Sequence, residues 1–209
     1  MDRNHQIKLF NKQAKAYSKR LKKNTRDHKL RERLFEFVHG NVLEVSVGAG
    51  ANFRYYHNAS GITACDFSPA MIEKARAEAL EQGLEVELIT GNAEELVFEE
   101  RAYDTVVSTL SLCAYPNPEK VLHRLAHWCK DEGQVLLFEH GISKNKMCAR
   151  LQQMADRWLE KRTGCHIDRD IIGLIEESPL ETVRIESYML GSLHLVWAKP
   201  GEEICGRTE

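Results

Sequence analysis

The chain has 209 residues, 43% of them hydrophobic and 29% charged, and a net charge of −2. That length lets about 70% of the unfolded surface be buried around one core, and no apolar run approaches the ~20 residues of a membrane-spanning helix; the start, MDRNHQIKLF, lacks a secretory pattern, so a cytoplasmic location is expected. Cys65, Cys113, Cys129, Cys148, Cys165 and Cys205 show no C-x-x-C pair and no Cys/His ligand spacing, so neither a disulfide framework nor a metal site is expected.

Residues 8–33 carry eleven Lys/Arg against Asp27 and Glu32, a local charge of +9. Such a run is either a solvated helix face or a contact for a polyanion such as RNA or an acidic membrane surface. Phe10, Ala14, Tyr17 and Leu21 recur at helical spacing, so residues 1–35 read as a basic helical lid. Strands are predicted at Val42–Val45, Ile62–Cys65, Val86–Ile89, Tyr103–Thr109 and Gln134–His140. Between them, helices are predicted around Ala51–Tyr56, at Pro69–Gln82 with Ser68 as N-cap and Gly83 as stop, and at Pro118–Lys130 with Gly133 ending the turn.

This alternation implies parallel strands joined by crossover helices, a doubly wound α/β sheet with helices on both faces. Val183–Ser187 and Leu193–Ala198, joined through Gly191, add an antiparallel pair at one edge, making seven strands in one domain of 209 residues. Residues 141–180 read as a helical insertion contributing to the substrate site. In it Met147, Leu151, Met154 and Trp158 share one helix face, read as core or as the wall of an apolar substrate pocket, and a second helix runs from Asp168 to Ser178. Residues 200–209 read as a polar tail.

The turn in VLEVSVGAGANF suggests a nucleotide-like ligand at the strand ends, with Asp66 as the acid that follows. From Gly48 the chain reads G-A-G-A-N-F, with Phe53 at the third glycine of a dinucleotide fingerprint, so a pyrophosphate is not supported. Glu44, just before the turn, repels phosphate and favours a cation. A ligand with a positive group and no pyrophosphate is expected, and S-adenosylmethionine fits. Asp66 can accept both ribose hydroxyls, Asn92 and the backbone of Ala93 can read adenine, and Phe67 and Met71 can wall it.

In their order, FNKQAKAY, VLEVSVGAGANF, ACDFSPAMIEKAR, GNAEELVFEERAYDTVVSTLSLC, PEKVLHRLAHWCKDEGQVLLFEHG and LGSLHLVWAKP resemble the class I S-adenosylmethionine-dependent methyltransferases. The likeness is to the small-molecule branch that includes ubiquinone/menaquinone, phospholipid and thiol enzymes. The resemblance implies that Glu44, Gly48 and Gly50 line the methionine moiety, with Asn52 nearby. It implies further that Asp66 holds the ribose, Asn92 to Glu94 flank adenine, Ser108, Thr109 and Leu110 lie beneath the sulfonium, and Tyr17 closes over it. Ser46 departs from the family's glycine: either its backbone keeps negative φ and its hydroxyl contacts the ligand, or cofactor binding is weakened.

Methyl transfer from a sulfonium is an in-line displacement by the substrate's own nucleophile, so orientation alone can supply ~7 to 11 kcal/mol of the barrier. If a base is needed, His140 is the first candidate; Tyr115, Trp158 and His166 are candidate substrate contacts, and Cys165-His166 reads as structural. The expected function is methyl transfer to a small, partly apolar acceptor. STLSLCAYPNP carries no N-P-P-Y motif, which argues against nucleobase or glutamine amide acceptors. Alternatives are an RNA or phospholipid methyltransferase using the basic segment, or a non-catalytic binding protein of the same fold.

Overall fold

The computed structural model describes residues 3–21 and 27–201. Part of the basic run and the polar tail beyond residue 201 lie outside the described residues. The helices are α1 (Arg3–Leu21), α2 (Asp27–Phe35), α3 (Pro69–Gln82), α4 (Pro118–Trp128), α5 (Lys146–Thr163) and α6 (Ile171–Glu176). The strands are β1 (Gly40–Val45), β2 (Ala59–Asp66), β3 (Glu87–Thr90), β4 (Tyr103–Thr109), β5 (Cys129–His140), β6 (Leu180–Tyr188) and β7 (Leu193–Pro200). They form one seven-stranded sheet in the order β3-β2-β1-β4-β5-β7-β6. β1 to β5 pair in parallel, and β7 runs antiparallel to both β5 and β6.

The centre of the sheet is apolar on both faces because helices cover both. Along β1, Leu43 and Val45 face a core completed by Val121, Leu122 and Leu125 of α4 and Ile171 and Ile175 of α6. Val42 faces the opposite core, with Leu34 and Phe35 of α2 and Ile72, Ala75 and Ala79 of α3. The α3 boundaries follow from local chemistry: Ser68 Oγ accepts the Met71 amide at 3.2 Å, Pro69 opens the helix, and Gly83 closes it at φ +66°.

Four expectations need correction. Between β1 and β2 there is only a 3-10 turn, Phe53–Tyr55, not a helix from Ala51 to Tyr56. α4 stops at Trp128, and Gly133 lies inside β5: the pairing jumps from Tyr103↔Cys129 to Thr105↔Gln134, so the intervening residues bulge. At that bulge a Cβ on Gly133 would stand 2.7 Å from Cys129 Sγ and 2.9 Å from the Asp104 carbonyl oxygen. α6 is six residues long, because Asp170 caps it at Gly173 and the chain leaves the helix after Glu176. Finally, the apolar face of α5 is neither core nor pocket wall: Met147, Leu151, Met154 and Trp158 are 73, 62, 80 and 59% exposed. The helix docks through its other side, where Gln152 and Asp156 bond the loops flanking it.

The backbone at Ser46 does not keep negative φ. It stands at +52°, in the left-handed region, and Leu110, just past the end of the neighbouring strand β4, has the same value. The Ser46 hydroxyl bonds the Tyr115 hydroxyl at 2.5 Å. Holding a non-glycine residue there costs about 1 to 2 kcal/mol, and the bond to a buried phenol returns about 1 kcal/mol. Ser46→Gly orphans the phenol but relieves the strain, two opposed changes that should leave it within about 1 kcal/mol of wild type in urea unfolding. Ser46→Ala orphans the phenol in the same way and keeps the strain, so it should lose about 1 to 3 kcal/mol; an alanine variant as stable as the glycine variant would refute this account.

Candidate functional site

A cleft opens at the carboxyl ends of β1, β2 and β4, at the point where the strand order reverses, and α1 lies across it. Of the predicted residues, Tyr17, Ser46, Gly48, Asp66, Phe67, Met71, Asn92, Glu94, Thr109, Leu110 and Tyr115 line it. The loops after β1, β2, β3 and β4 therefore converge on one space, as a parallel sheet requires.

Asp66 ends β2 and is 5% exposed. Its Oδ2 accepts the Gly48 amide at 2.9 Å and its Oδ1 the Ser68 amide at 2.8 Å. Burial raises its pKa to about 6, against the pull of those two amides. Each carboxylate oxygen keeps a lone pair for a further donor. Gly48, at φ +55°, presents open space: a Cβ built there meets nothing within 4 Å. Asn92 forms a local turn with Glu94, accepting its amide at 3.1 Å and donating to its carboxylate at 3.0 Å, and Glu94 also accepts the Asn117 amide at 2.8 Å.

Glu44, Gly50, Asn52, Ala93 and Ser108 do not line the cleft. Glu44 shares the sheet face of Val42 and is 1% exposed. One oxygen accepts the Asn52 amide nitrogen at 2.7 Å and the other the Tyr56 hydroxyl at 2.6 Å. Burial raises its pKa to about 7, opposed by those bonds and by Arg31. Gly50, at φ +86°, packs against Phe53, whose ring would stand 2.8 Å from a Cβ. Ser108 is bonded to Ser111 and Glu139 at 2.7 and 2.9 Å.

Arg31 went unnoticed in the sequence because it is one cation in a basic run. It is 9% exposed, bonds the Asn52 side-chain oxygen and, at 3.2 Å, Thr109 Oγ1, and stacks over Phe138 with 5.1 Å to the ring centre. Burial lowers its pKa and Glu44 raises it. The guanidinium lines the cleft while Glu44 stands behind it. On the Glu44 side of the cleft the buried charge that lines it is therefore positive, so the expectation that Glu44 repels phosphate needs amending: its field is offset by Arg31.

A second omission is Glu139, wholly buried at the end of β5. Its carboxylate accepts the Ser111 and Leu112 amides at 3.0 and 3.2 Å and so fixes the turn after β4. Burial raises its pKa to about 7. The residue identity alone, an acid inside a buried strand, was the available signal.

α1 is clasped from several sides. Asn11 Oδ1 accepts the Ser68 hydroxyl at 2.6 Å and the Ala70 amide at 3.3 Å, Gln6 donates to the Ala114 carbonyl at 2.6 Å, and Phe10 meets Phe67 edge-on at 5.3 Å. Ala14, Tyr17 and Leu21 pack on Ala49 and Met71, as the helical spacing requires. The Tyr17 phenol is raised to about 12, chiefly by burial.

His140, Trp158 and His166 are not among the cleft residues. His166 Nδ1 lies 2.8 Å from Asp156 Oδ2, and Trp158 is exposed beneath the Arg162 guanidinium at 4.8 Å. No residue of 141–180 lines the cleft. His140 lies instead with Cys113 and Cys165, their ligand atoms all within 4.8 Å of one another.

A methyltransferase-domain family model matches residues 42–133. The phosphatidylethanolamine N-methyltransferase of Cereibacter sphaeroides is 34% identical over 146 residues, covering 69% of this chain and 71% of that protein. The thiol S-methyltransferase TMT1B of Rattus norvegicus is 28% identical over 150 residues, 69% of this chain and 62% of that protein. An S-adenosylmethionine-dependent methyltransferase structure from Thermotoga maritima superposes with a TM-score of 0.68 at 14% identity, covering 93% of this chain and 99% of that one; it speaks to the fold. With the strand order, the glycine turn and the matched domain in agreement, the chain belongs to the class I S-adenosylmethionine-dependent methyltransferase family of enzymes.

Proposed function

We propose that the cleft binds S-adenosylmethionine and that the enzyme moves its methyl group to a small, partly apolar acceptor. The observation that carries the reading is Asp66: a buried carboxylate at a parallel strand end, with two lone pairs facing a cleft whose floor is an uncrowded glycine. The bound sulfonium supplies an electrophilic methyl group. Asp66 accepts the two ribose hydroxyls, Phe67 and Met71 provide apolar walls for the base, and Asn92 and Glu94 lie at its edge. Arg31 takes the carboxylate of the amino-acid head, a role for which Lys would be a poorer fork.

Glu44, Asn52 and Ser108 act one step back, by holding Arg31, the glycine turn and the turn after β4. Tyr17 and the rest of α1 cover the cleft and exclude water. Tyr115 is buried and its pKa is raised well above 10, mainly by desolvation, so it orients rather than accepts a proton. His140 has no place beside the transferred group in this reading, and rate comes from proximity and alignment. The five described cysteines are free thiols, which accords with a cytoplasmic location.

A second reading has its own observation. The four exposed apolar residues of α5 are flanked by Lys146, Arg150, Arg157, Lys161 and Arg162, an arrangement suited to lying in an anionic membrane interface. The Cereibacter relative is named for a phospholipid acceptor. Among the described residues no helix is long and apolar enough to cross a membrane, so contact would be peripheral.

Calorimetry with S-adenosylmethionine tests the main reading. Asp66→Asn should weaken binding at least about tenfold, the loss of one charge-assisted hydrogen bond. The sign of the pH effect follows from the raised pKa: the carboxylate must be ionised to accept the ribose, and proton binding competes below about pH 6. Affinity should be flat above that value and fall about tenfold per pH unit below it, a limb that Asp66→Asn removes. Unchanged affinity in the variant would reject the assignment.

For the second reading, Trp158 fluorescence should shift to the blue on phosphatidylglycerol vesicles at low salt and not on phosphatidylcholine vesicles. Met154→Asp should abolish the shift. No response to either vesicle removes the lipid alternative and leaves a soluble acceptor.

A further inference from the structure

We propose that Cys113, His140 and Cys165 form a zinc site beside the cleft. The two sulfurs and one imidazole nitrogen come from three different segments, the turn after β4, the end of β5 and the loop after α5, yet all lie within 4.8 Å of one another. Ligand atoms around a tetrahedral zinc ion stand roughly 3.3 to 3.8 Å apart, so a contraction of about an ångström closes the set. Both thiols are free. Two thiolates and an imidazole favour zinc over the hard cations that prefer oxygen, and binding displaces the protons that the three donors carry.

The frame around the three donors is already built. The His166 amide donates to the Cys113 carbonyl at 3.0 Å, and Arg169 donates to the Leu112 carbonyl at 2.8 Å, tying the loop after α5 to the turn after β4. Gln152 Nε2 donates to the carbonyls of Gly141 and Ile167, each at 3.0 Å, joining that loop to the residue after His140. Asp156 accepts the Ile167 amide at 2.7 Å and engages His166. That carboxylate and imidazole are occupied with one another, as Glu139 is with the amides of Ser111 and Leu112. Three protein donors therefore leave one position of a tetrahedral ion for water or a soft exogenous ligand.

The location gives the ion a consequence. Ser111, Ala114 and Tyr115 of the Cys113 turn line the cleft. Gly164, next to Cys165, is approached so closely by Phe10 of α1 that a Cβ there would stand 2.6 Å from the ring. A zinc ion joining Cys113, His140 and Cys165 thus clamps the cleft wall to the loop against which the covering helix packs. The site stands apart from the methyl-donor assignment, and its test uses no S-adenosylmethionine, so failure of one leaves the other standing.

The full-length protein, reduced and stripped with a chelator, is titrated with zinc in competition with a chromophoric chelator. One ion per chain is expected, with a submicromolar dissociation constant and a rise in melting temperature. Cobalt in its place should give tetrahedral d–d bands and thiolate charge transfer. Cys113→Ser, Cys165→Ser and His140→Gln should each weaken zinc by about a hundredfold or more, and Cys148→Ser should not; circular dichroism checks that each variant is folded. Equal zinc affinity in wild type and a folded Cys113→Ser/Cys165→Ser variant would overturn the proposal. So would a reduced protein that ignores zinc but forms a Cys113–Cys165 disulfide on mild oxidation, which would make the pair a redox device.

Discussion

The cleft depends on how one buried carboxylate is kept from being a liability. Glu44 lies in the central strand with almost no contact with water, where an unpaired charge would cost several kcal/mol. The chain answers with Asn52 and Tyr56 on its two oxygens and Arg31 within its field. The same Asn52 bonds Arg31 and, at 3.1 Å, Thr109, so the network runs from β1 through the glycine turn to the end of β4. Three segments distant in sequence, α2, β1 with its turn, and the end of β4, are held in register by a single satisfied polar chain. Its outer end is a guanidinium at the cleft wall, and that makes the acid's influence on a ligand indirect.

The fold was legible because its determinants are local. Period-two and period-3.6 patterns, a serine cap, a proline at N1 and a glycine stop act within a few residues, and β1 to β4 and α3 followed them closely. Errors arose where a distant partner decides. The bulge at Gly133 is a shift in the register of β5 against β4 across the sheet, and nothing near Gly133 announces it. The spacing of Met147, Leu151, Met154 and Trp158 does put them on one helix face, but periodicity reports that a face exists, not whether it is covered.

The site divides the same way. Residues at strand ends could be named from sequence, because a parallel sheet delivers its strand ends to one edge, and Asp66, Gly48 and Leu110 lie there. Arg31 could not, since its distinction is burial rather than type, and the sequence does not reveal that the side chains of Glu44 and Asn52 serve one another. Cys113, His140 and Cys165 escape spacing rules for a related reason: metal motifs detect donors closely spaced in sequence, and here each donor comes from a separate segment.

The left-handed residues at the ends of β1 and β4 show how the sheet holds a side chain where a glycine would carry no strain. Ser46 and Leu110 each take φ +52°, and each is over-determined by neighbours: Ser46 by Tyr115, Leu110 by a 2.6 Å hydrogen bond from its amide to the Phe138 carbonyl. Strain of this kind persists only where the surroundings hold it. Tyr115 is itself fixed by the turn that Glu139 caps, so the serine's conformation is supported from β5, two strands away in the sheet. Small residues keep a ligand turn open by having no side chain. This chain keeps its turn open by pulling the side chain aside, so the turn's shape depends on the loop that walls the opposite edge of the cleft.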